Sequence, residues 1–187
     1  LTSLDHEHIA KVLDGGTNDE GSLFGGMELV DGPPITRFAS ERRLSIEDRI
    51  HLVRQVCVGV AHAHLKGLVH RDLKPANVLV CERDGAPLAK IIDFGIAKLI
   101  GQGPSTMDTL PGAPLGTIEY MSPEQAQGLL GLVDQRSDIY SVGVMLYELL
   151  TGQLPRTRQA ILESVGPRFL EQMAARRIAP PSSLLGL

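Results

Sequence analysis

The chain has 187 residues, of which 43% are apolar and 21% charged, and its formal net charge is −4. That length supports one domain or one large lobe with its own core, and the negative balance excludes a nucleic-acid binder that works by broad neutralisation of phosphates. No run approaches the ~20 apolar residues of a membrane span, and two widely separated cysteines predict free, at least partly buried thiols in a reducing compartment.

The first third of the chain predicts two short strands and a long helix. Residues 9–14 ("IAKVLD") and 22–30 ("SLFGGMELV") are the strand candidates, with turn-rich sequence between them. Ser45 with Asp48 predicts a helix N-terminal cap, and Gly67 predicts the end of that helix. The face predicted to be buried consists of Ile46, Ile50, Val53, Cys57, Val60 and His64, which recur at helical spacing.

The middle of the chain predicts a hairpin and then a loop. Residues 78–80 and 88–92 are short apolar strands separated by the polar "CERDGAP". Residues 101–116 are rich in Gly and Pro and predict a loop. Ser122 and Gln125, which flank a Pro at the first turn, predict the start of a helix.

The last third predicts helices. Residues 138–150 are apolar nearly all round, which indicates a helix buried on every side, ending at Gly152. Two shorter helix patterns follow Pro155 and are broken at Gly166 and Pro167. The sum is an α+β chain, mainly helical with short β-hairpins.

The stretch "HRDLKPANVLV" (70–80) carries the first chemical signal. Asp72 supplies a carboxyl group, which is a weak base at neutral pH. It suits phosphoryl transfer, where the nucleophile needs orientation more than deprotonation. Lys74 supplies a compact positive charge for a moving phosphoryl group, and Asn77 supplies an oxygen ligand of the kind that Mg²⁺ accepts.

A second signal is "IIDFG" (91–95), where Asp93 follows an apolar strand and Gly95 permits a sharp turn. Asp93 and Asn77 lie on neighbouring strands of the predicted hairpin. Together they predict a two-ligand Mg²⁺ site.

Four segments in order, "HRDLKPAN", "DFGIAK", "GTIEYMSPEQ" and "SDIYSVGVMLYELLTGQLP", resemble the large lobe of eukaryotic-like protein kinases, most closely the bacterial serine/threonine branch. The resemblance implies a protein-kinase-like fold and Mg²⁺- and ATP-dependent phosphoryl transfer to Ser or Thr hydroxyls of a protein substrate. The expected partners are thus ATP and a protein, with no nucleic acid and no membrane span in this chain.

The resemblance also implies a role for individual residues. Asp72 would be the catalytic base, Lys74 the γ-phosphate contact, and Thr117 a neighbour of the base in the substrate pocket. Asn77 and Asp93 would bind Mg²⁺, and Met27, Glu28 and Val30 would adjoin the adenine. The implied regulatory residues are Arg71 with the activation-loop hydroxyls Ser105, Thr106 and Thr109, and the implied structural residues are Glu124 and Asp138.

Some features of the family are missing from these residues. There is no G-x-G-x-x-G and no lysine in an Ala-x-Lys context on an early strand, and Glu124 lacks an assignable Arg partner among Arg168, Arg176 and Arg177. We therefore expect a large-lobe fragment with the small lobe largely missing, and little activity from this chain alone. The expected parts are a small-lobe remnant and hinge (1–30), the large lobe (31–155) and divergent C-terminal helices (156–187).

Two other functions are compatible with parts of the pattern. A truncated, pseudokinase-like binding module would explain the absent phosphate loop, but Asp72, Lys74, Asn77 and Asp93 are all retained. A small-molecule phosphotransferase can share the H-x-D-x-x-x-x-N loop, although the other three segments favour a protein kinase. For the kinase we expect a cytoplasmic location, with any membrane anchor of the parent protein outside these residues.

Overall fold

The computed structural model describes residues 4–17, 23–94, 118–162 and 177–185. Its chain forms two compact units. The first unit consists of Leu1–His70 and Pro75–Thr106, and the second of Arg71–Lys74 and Met107–Leu187. Residues 71–74 therefore group with the C-terminal half of the chain. The predicted boundaries at residues 30 and 155 concern functional lobes and stay a prediction.

In the first unit, β1 (Val12–Thr17) pairs antiparallel with β2 (Leu23–Met27). The first strand begins three residues later than predicted because the chain before it pairs elsewhere. Ile9 forms a parallel bridge with Ile91, and the Ala10 N–H donates to the Ile91 carbonyl at 2.8 Å.

The predicted hairpin is present as β3 (Val78–Arg83) and β4 (Ala86–Ile91), in antiparallel register from Val78 opposite Ile91 to Arg83 opposite Ala86. Only Asp84 and Gly85 lie outside the strands, so the polar segment predicted as connection is mostly strand. Both turn residues have positive φ, 52° and 77°, as a tight hairpin turn requires.

Two helices complete the first unit. The short α1 (Ile35–Glu41) was not predicted, and α2 (Ile46–Leu65) begins at the predicted Ser45 cap, whose Oγ accepts from the Asp48 N–H at 3.1 Å. The fully buried apolar side chains of this unit include Ile9, Ile35, Leu52, Val56, Val78, Val80 and Ile91.

The predicted buried face of α2 is wrong in part. Ile46, Ile50 and Cys57 are exposed, while the buried stripe consists of Leu52, Val53, Val56, Gly59, Val60 and Ala63. A Cβ on Gly59 would lie 3.1 Å from the His8 carbonyl oxygen and from the Ile91 Cδ1. The helix thus packs closely through small residues, which a search for large apolar side chains underweights.

The second unit contains four described helices: α3 (Pro123–Ala126), α4 (Gln135–Thr151), α5 (Arg158–Leu162) and α6 (Pro181–Leu184). Short 3₁₀ turns occur at Ile118–Tyr120 and Leu130–Leu132. The helix pattern predicted beyond Gly166 and Pro167 and the loop predicted at 101–116 lie largely or wholly outside the described residues.

The long helix α4 ends at Gly152 as predicted, but it is not buried on every side. Ile139 is 62% exposed, whereas Asp138, Met145 and Leu149 are almost completely buried. Apolar composition alone does not show which face of a helix packs against the rest of the chain.

Both cysteines are free thiols, and Cys57 is exposed rather than buried. Within the described ranges, no helix is both long and apolar enough to cross a membrane.

Candidate active site

Asp72 and Lys74 form an ion pair in the second unit, with Lys74 Nζ 2.8 Å from Asp72 Oδ2. The Leu73 side chain between them is 1% exposed, so it anchors the loop while Asp72 stays open to solvent. The loop therefore holds a carboxylate and an ammonium group side by side. Such a pair can orient a hydroxyl nucleophile and compensate the charge of a phosphoryl group.

The backbone immediately before Asp72 is in an unusual conformation. Arg71 has a φ of 70°, the left-handed region that non-glycine residues rarely adopt. Its N–H donates to Asp138 Oδ1 at 2.8 Å, and its carbonyl accepts from Gln125 Nε2 at 2.6 Å. Buried Asp138 therefore contacts the backbone of the residue immediately before Asp72, and its implied structural role in a kinase stays a prediction.

In the first unit, Asn77 ends a 3₁₀ turn (Pro75–Asn77) and lies just before β3. The Ile92 N–H donates to the Asn77 carbonyl at 2.9 Å, which continues the hairpin ladder by one pair. Asn77 is buried and Asp93, one residue past this bond, is exposed. An amide oxygen and a carboxylate thus flank one end of the hairpin.

The residues around Asp93 are fixed by buried contacts. His70 Nε2 donates to the Ile92 carbonyl at 3.1 Å, and the His70 ring meets the Phe94 ring edge-on at 4.7 Å between centroids. Both rings are buried. Asp93 itself has a φ of 60°, so a second motif residue adopts the left-handed conformation.

The predicted adenine-contacting segment follows β2. The Glu28 N–H donates to the Lys11 carbonyl at 2.8 Å, so this N–H is already engaged within the first unit. The Glu28 carboxylate pairs with Lys90 Nζ at 2.5 Å, and this hydrogen bond lowers the pKa of Glu28. Met27 is half-buried and Val30 is buried.

The segment then runs tightly past the hairpin. A Cβ on Gly32 would lie 2.0 Å from the Val80 carbonyl oxygen, so a larger residue would collide with the β3 backbone. The Val80 N–H donates to the Pro33 carbonyl at 3.0 Å. This close approach explains why position 32 is a glycine.

The predicted activation-loop hydroxyls Ser105, Thr106 and Thr109, together with Thr117 and Gly95, lie outside the described residues. The chain is described again from Ile118. There the Tyr120 hydroxyl donates to Glu148 Oε2 at 2.6 Å, and burial, with this hydrogen bond, raises the pKa of Tyr120. Ser141 Oγ donates to the Tyr120 carbonyl at 2.8 Å, so α4 holds this turn at two points.

Glu124 was expected to pair with a late arginine. In the described part of the chain its carboxylate accepts from Ser137 Oγ at 2.5 Å. Burial would raise the pKa of Glu124, but the hydrogen bonds from Ser137 and Ser122 hold it below its ordinary value. Arg168 and Arg176 lie outside the described residues, and Arg177 is exposed.

Comparison with known proteins identifies the family to which the chain belongs. The sequence model of the protein kinase domain matches residues 1–180. The chain belongs to the protein kinase domain family. It is 44% identical over 157 residues to the serine/threonine-protein kinase pkn3 of Myxococcus xanthus. The matched region covers 81% of this chain and 28% of that kinase. It is 42% identical over 158 residues to serine/threonine-protein kinase A of Synechocystis. That match covers 79% of this chain and 29% of the Synechocystis kinase.

The kinase fold is shown by structure as well. A crystal structure of the PknI kinase domain of Mycobacterium tuberculosis matches with a TM-score of 0.63 and 28% identity, covering 96% of this chain and 58% of that one. The predicted α+β, protein-kinase-like class and the bacterial serine/threonine branch are therefore confirmed. The chain spans less than a third of the length of the two bacterial kinases named above.

Sequence reasoning missed two contacts that involve predicted site residues, Gln125 with Arg71 and Lys90 with Glu28. Gln125 was assigned only to the cap of α3, and nothing in its spacing indicated the bond to Arg71. Lys90 was assigned no role, although a lysine within the otherwise apolar "LAKII" is a signal, because a buried ammonium group needs a partner. In the described residues no group of three or more His, Cys, Asp or Glu side chains is arranged to hold a metal ion, and the kinase-type Mg²⁺ site calls for only two protein oxygens.

Proposed function

We propose that the protein containing this chain is a Mg²⁺- and ATP-dependent protein serine/threonine kinase. The observation that carries the proposal is the Asp72–Lys74 ion pair on a loop whose backbone is tied down at Arg71. In this role the Asp72 carboxylate accepts the hydrogen bond of the substrate hydroxyl and aims its oxygen at the phosphoryl group. Lys74 Nζ compensates the negative charge that spreads over the phosphoryl oxygens in transfer.

Asn77 and Asp93 would hold the metal. An amide oxygen and a carboxylate are hard ligands that fit Mg²⁺, which keeps its other positions for water and phosphate oxygens. The bound ion would neutralise phosphate charge. The fit is supported by the hairpin end, where the backbone next to Asn77 is fixed and Asp93 faces solvent.

The segment after β2 would receive the nucleotide base. Met27 would border the pocket, and Glu28 to Val30 would offer backbone groups to adenine. The ion pair between Glu28 and Lys90 keeps this segment against β4. The exposed Arg71 guanidinium would pair with a phosphate on Ser105, Thr106 or Thr109, and Thr117 would adjoin Asp72 in the substrate pocket.

The test is transfer of radiolabelled γ-phosphate by the protein purified from its own cells, so that all sequence normally joined to this chain is present. We expect phosphoserine or phosphothreonine on protein, lost with Asp72→Asn, whose amide cannot accept the hydroxyl proton. Glu47→Gln, an exposed change on α2, is the matched control and should leave the rate unchanged.

Two outcomes would contradict the proposal. ATP binding without Asp72-dependent transfer would identify a pseudokinase-like binding module. Phosphorylation of a sugar or amine with no labelled protein would identify a small-molecule phosphotransferase.

A further inference from the structure

We propose that Gln125 is a positioning residue for the catalytic loop, and that its amide group acts on Asp72 through the backbone of Arg71. This inference rests on the proposed kinase function. It starts from the two hydrogen bonds of Arg71, which lie on either side of its Cα. Asp138 Oδ1 accepts from the N–H of the peptide that precedes Arg71, at 2.8 Å. Gln125 Nε2 donates to the carbonyl of the peptide that follows, at 2.6 Å.

Holding both peptide planes fixes both backbone angles of Arg71. One bond alone would leave the other plane free to rotate. The φ of 70° needs such a restraint, because a residue with a Cβ leaves the left-handed region readily when nothing holds it there. The carbonyl held by Gln125 belongs to the peptide bond that leads directly into Asp72. Gln125 therefore sets the direction in which the loop delivers its carboxylate.

The other end of the same amide is also engaged. Gln125 Oε1 accepts from the Ser122 N–H at 3.1 Å and from Ser122 Oγ at 3.0 Å. These bonds form the cap of α3, so the cap orients the amide with its NH₂ group toward Arg71. The residue must therefore carry an acceptor and a donor on one planar group, as an amide does and a carboxylate at neutral pH does not.

This dual requirement separates Gln from Glu. The substitution Gln125→Glu keeps an acceptor for the Ser122 cap, but it replaces the donor with a carboxylate oxygen that faces the Arg71 carbonyl. When that carboxyl is protonated, its O–H can again donate. The matched control Ser122→Ala removes the Ser122 hydroxyl from the cap and leaves the Gln125 donor in place.

The first measurement is NMR of the full 187-residue chain, following the Arg71 amide signal and its hydrogen-exchange protection. In Gln125→Glu at pH 7.5 we expect protection at Arg71 to fall about tenfold, since a hydrogen bond is replaced by a repulsive contact. Protection should recover as the pH is lowered through the pKa of the introduced carboxyl. Ser122→Ala keeps the bond from the Ser122 N–H to Gln125 Oε1, so the amide stays oriented and the Arg71 amide should remain within about twofold of the parent chain. Unchanged protection in Gln125→Glu, or an equal loss in Ser122→Ala, would overturn the proposal.

The second measurement is phosphate transfer by the protein from its own cells. Gln125→Glu should lower kcat about tenfold at pH 7.5 with little change in the KM for ATP, and the loss should shrink at lower pH. A changed KM with an unchanged kcat would overturn the positioning role. If the parent protein transfers no phosphate, the proposed function fails, and the Arg71 amide signal still decides whether Gln125 holds the loop.

Discussion

Replacing Asp138 tests the restraint on the catalytic loop most directly. The side chain is 1% exposed and its Oδ1 accepts from the Arg71 N–H at 2.8 Å. Asp138→Ala removes this acceptor, and a hydrogen bond to a charged group contributes about 1.5–3 kcal/mol. Arg71 would then relax from its left-handed conformation and recover part of about 1–2 kcal/mol of strain. The free energy of local opening at Arg71 should therefore fall by about 1–2 kcal/mol, which raises the hydrogen-exchange rate of its amide roughly tenfold.

Asp138→Asn is the matched control because it keeps an oxygen acceptor in nearly the same volume. It loses only the charge assistance, which is about half of such a bond. We therefore expect about half the effect of Asp138→Ala. Asp138 has further interactions that both substitutions alter, so the readout is native-state hydrogen exchange at the Arg71 amide and not global unfolding. An Arg71 amide that exchanges equally slowly in all three proteins would refute the reasoning.

Two further predictions concern ion pairs and pH. In a double-mutant cycle of Lys90→Met and Glu28→Gln, the double mutant should be destabilised by about 1 kcal/mol less than the sum of the two single changes, because the Lys90 side chain is only 12% exposed. Additive effects in denaturant unfolding would contradict this. Ser137→Ala should cost about 1–2 kcal/mol at pH 7 by removing the bond to Glu124. The pKa of Glu124 is lowered in the fold, so this stability is fully present above the ordinary carboxyl pKa of 4.5 and is lost as the pH falls through the lower folded pKa. Thermal unfolding of parent and variant should therefore converge in acid, and a constant gap would count against the pKa assignment.

The motifs could be recognised from the sequence because each is short and dominated by local rules. The Ser45 cap, the hairpin and the end of α4 at Gly152 follow from turn and capping chemistry that needs few residues. Asp72 and Lys74 are two residues apart, so their pairing required no knowledge of the tertiary fold.

The errors arose where packing partners are distant in sequence. The buried stripe of α2 runs through Gly59 because that helix approaches the backbone of His8, 51 residues earlier. The role of Lys90 depends on Glu28, 62 residues earlier, and that of Gln125 on Arg71, 54 residues earlier. Hydrophobic periodicity contains no information about such contacts, so these residues could be assigned only from the structure.

Backbone strain is the feature least accessible to sequence reasoning, and two of the four described non-glycine residues with positive φ are predicted site residues. Arg71 and Asp93 both have positive φ, at a cost of about 1–2 kcal/mol each, although neither is Gly or Asn. The chain opposes this cost at Arg71 through Asp138 and Gln125, and beside Asp93 through the bonds of Ile92 to Asn77 and His70. Strain that neighbouring contacts maintain is typical of functional sites, where a side chain must be presented in a direction that relaxed backbone does not allow. Relieving it at Arg71 should therefore loosen the loop and reduce phosphate transfer together, which links the Asp138 and Gln125 experiments to one physical cause.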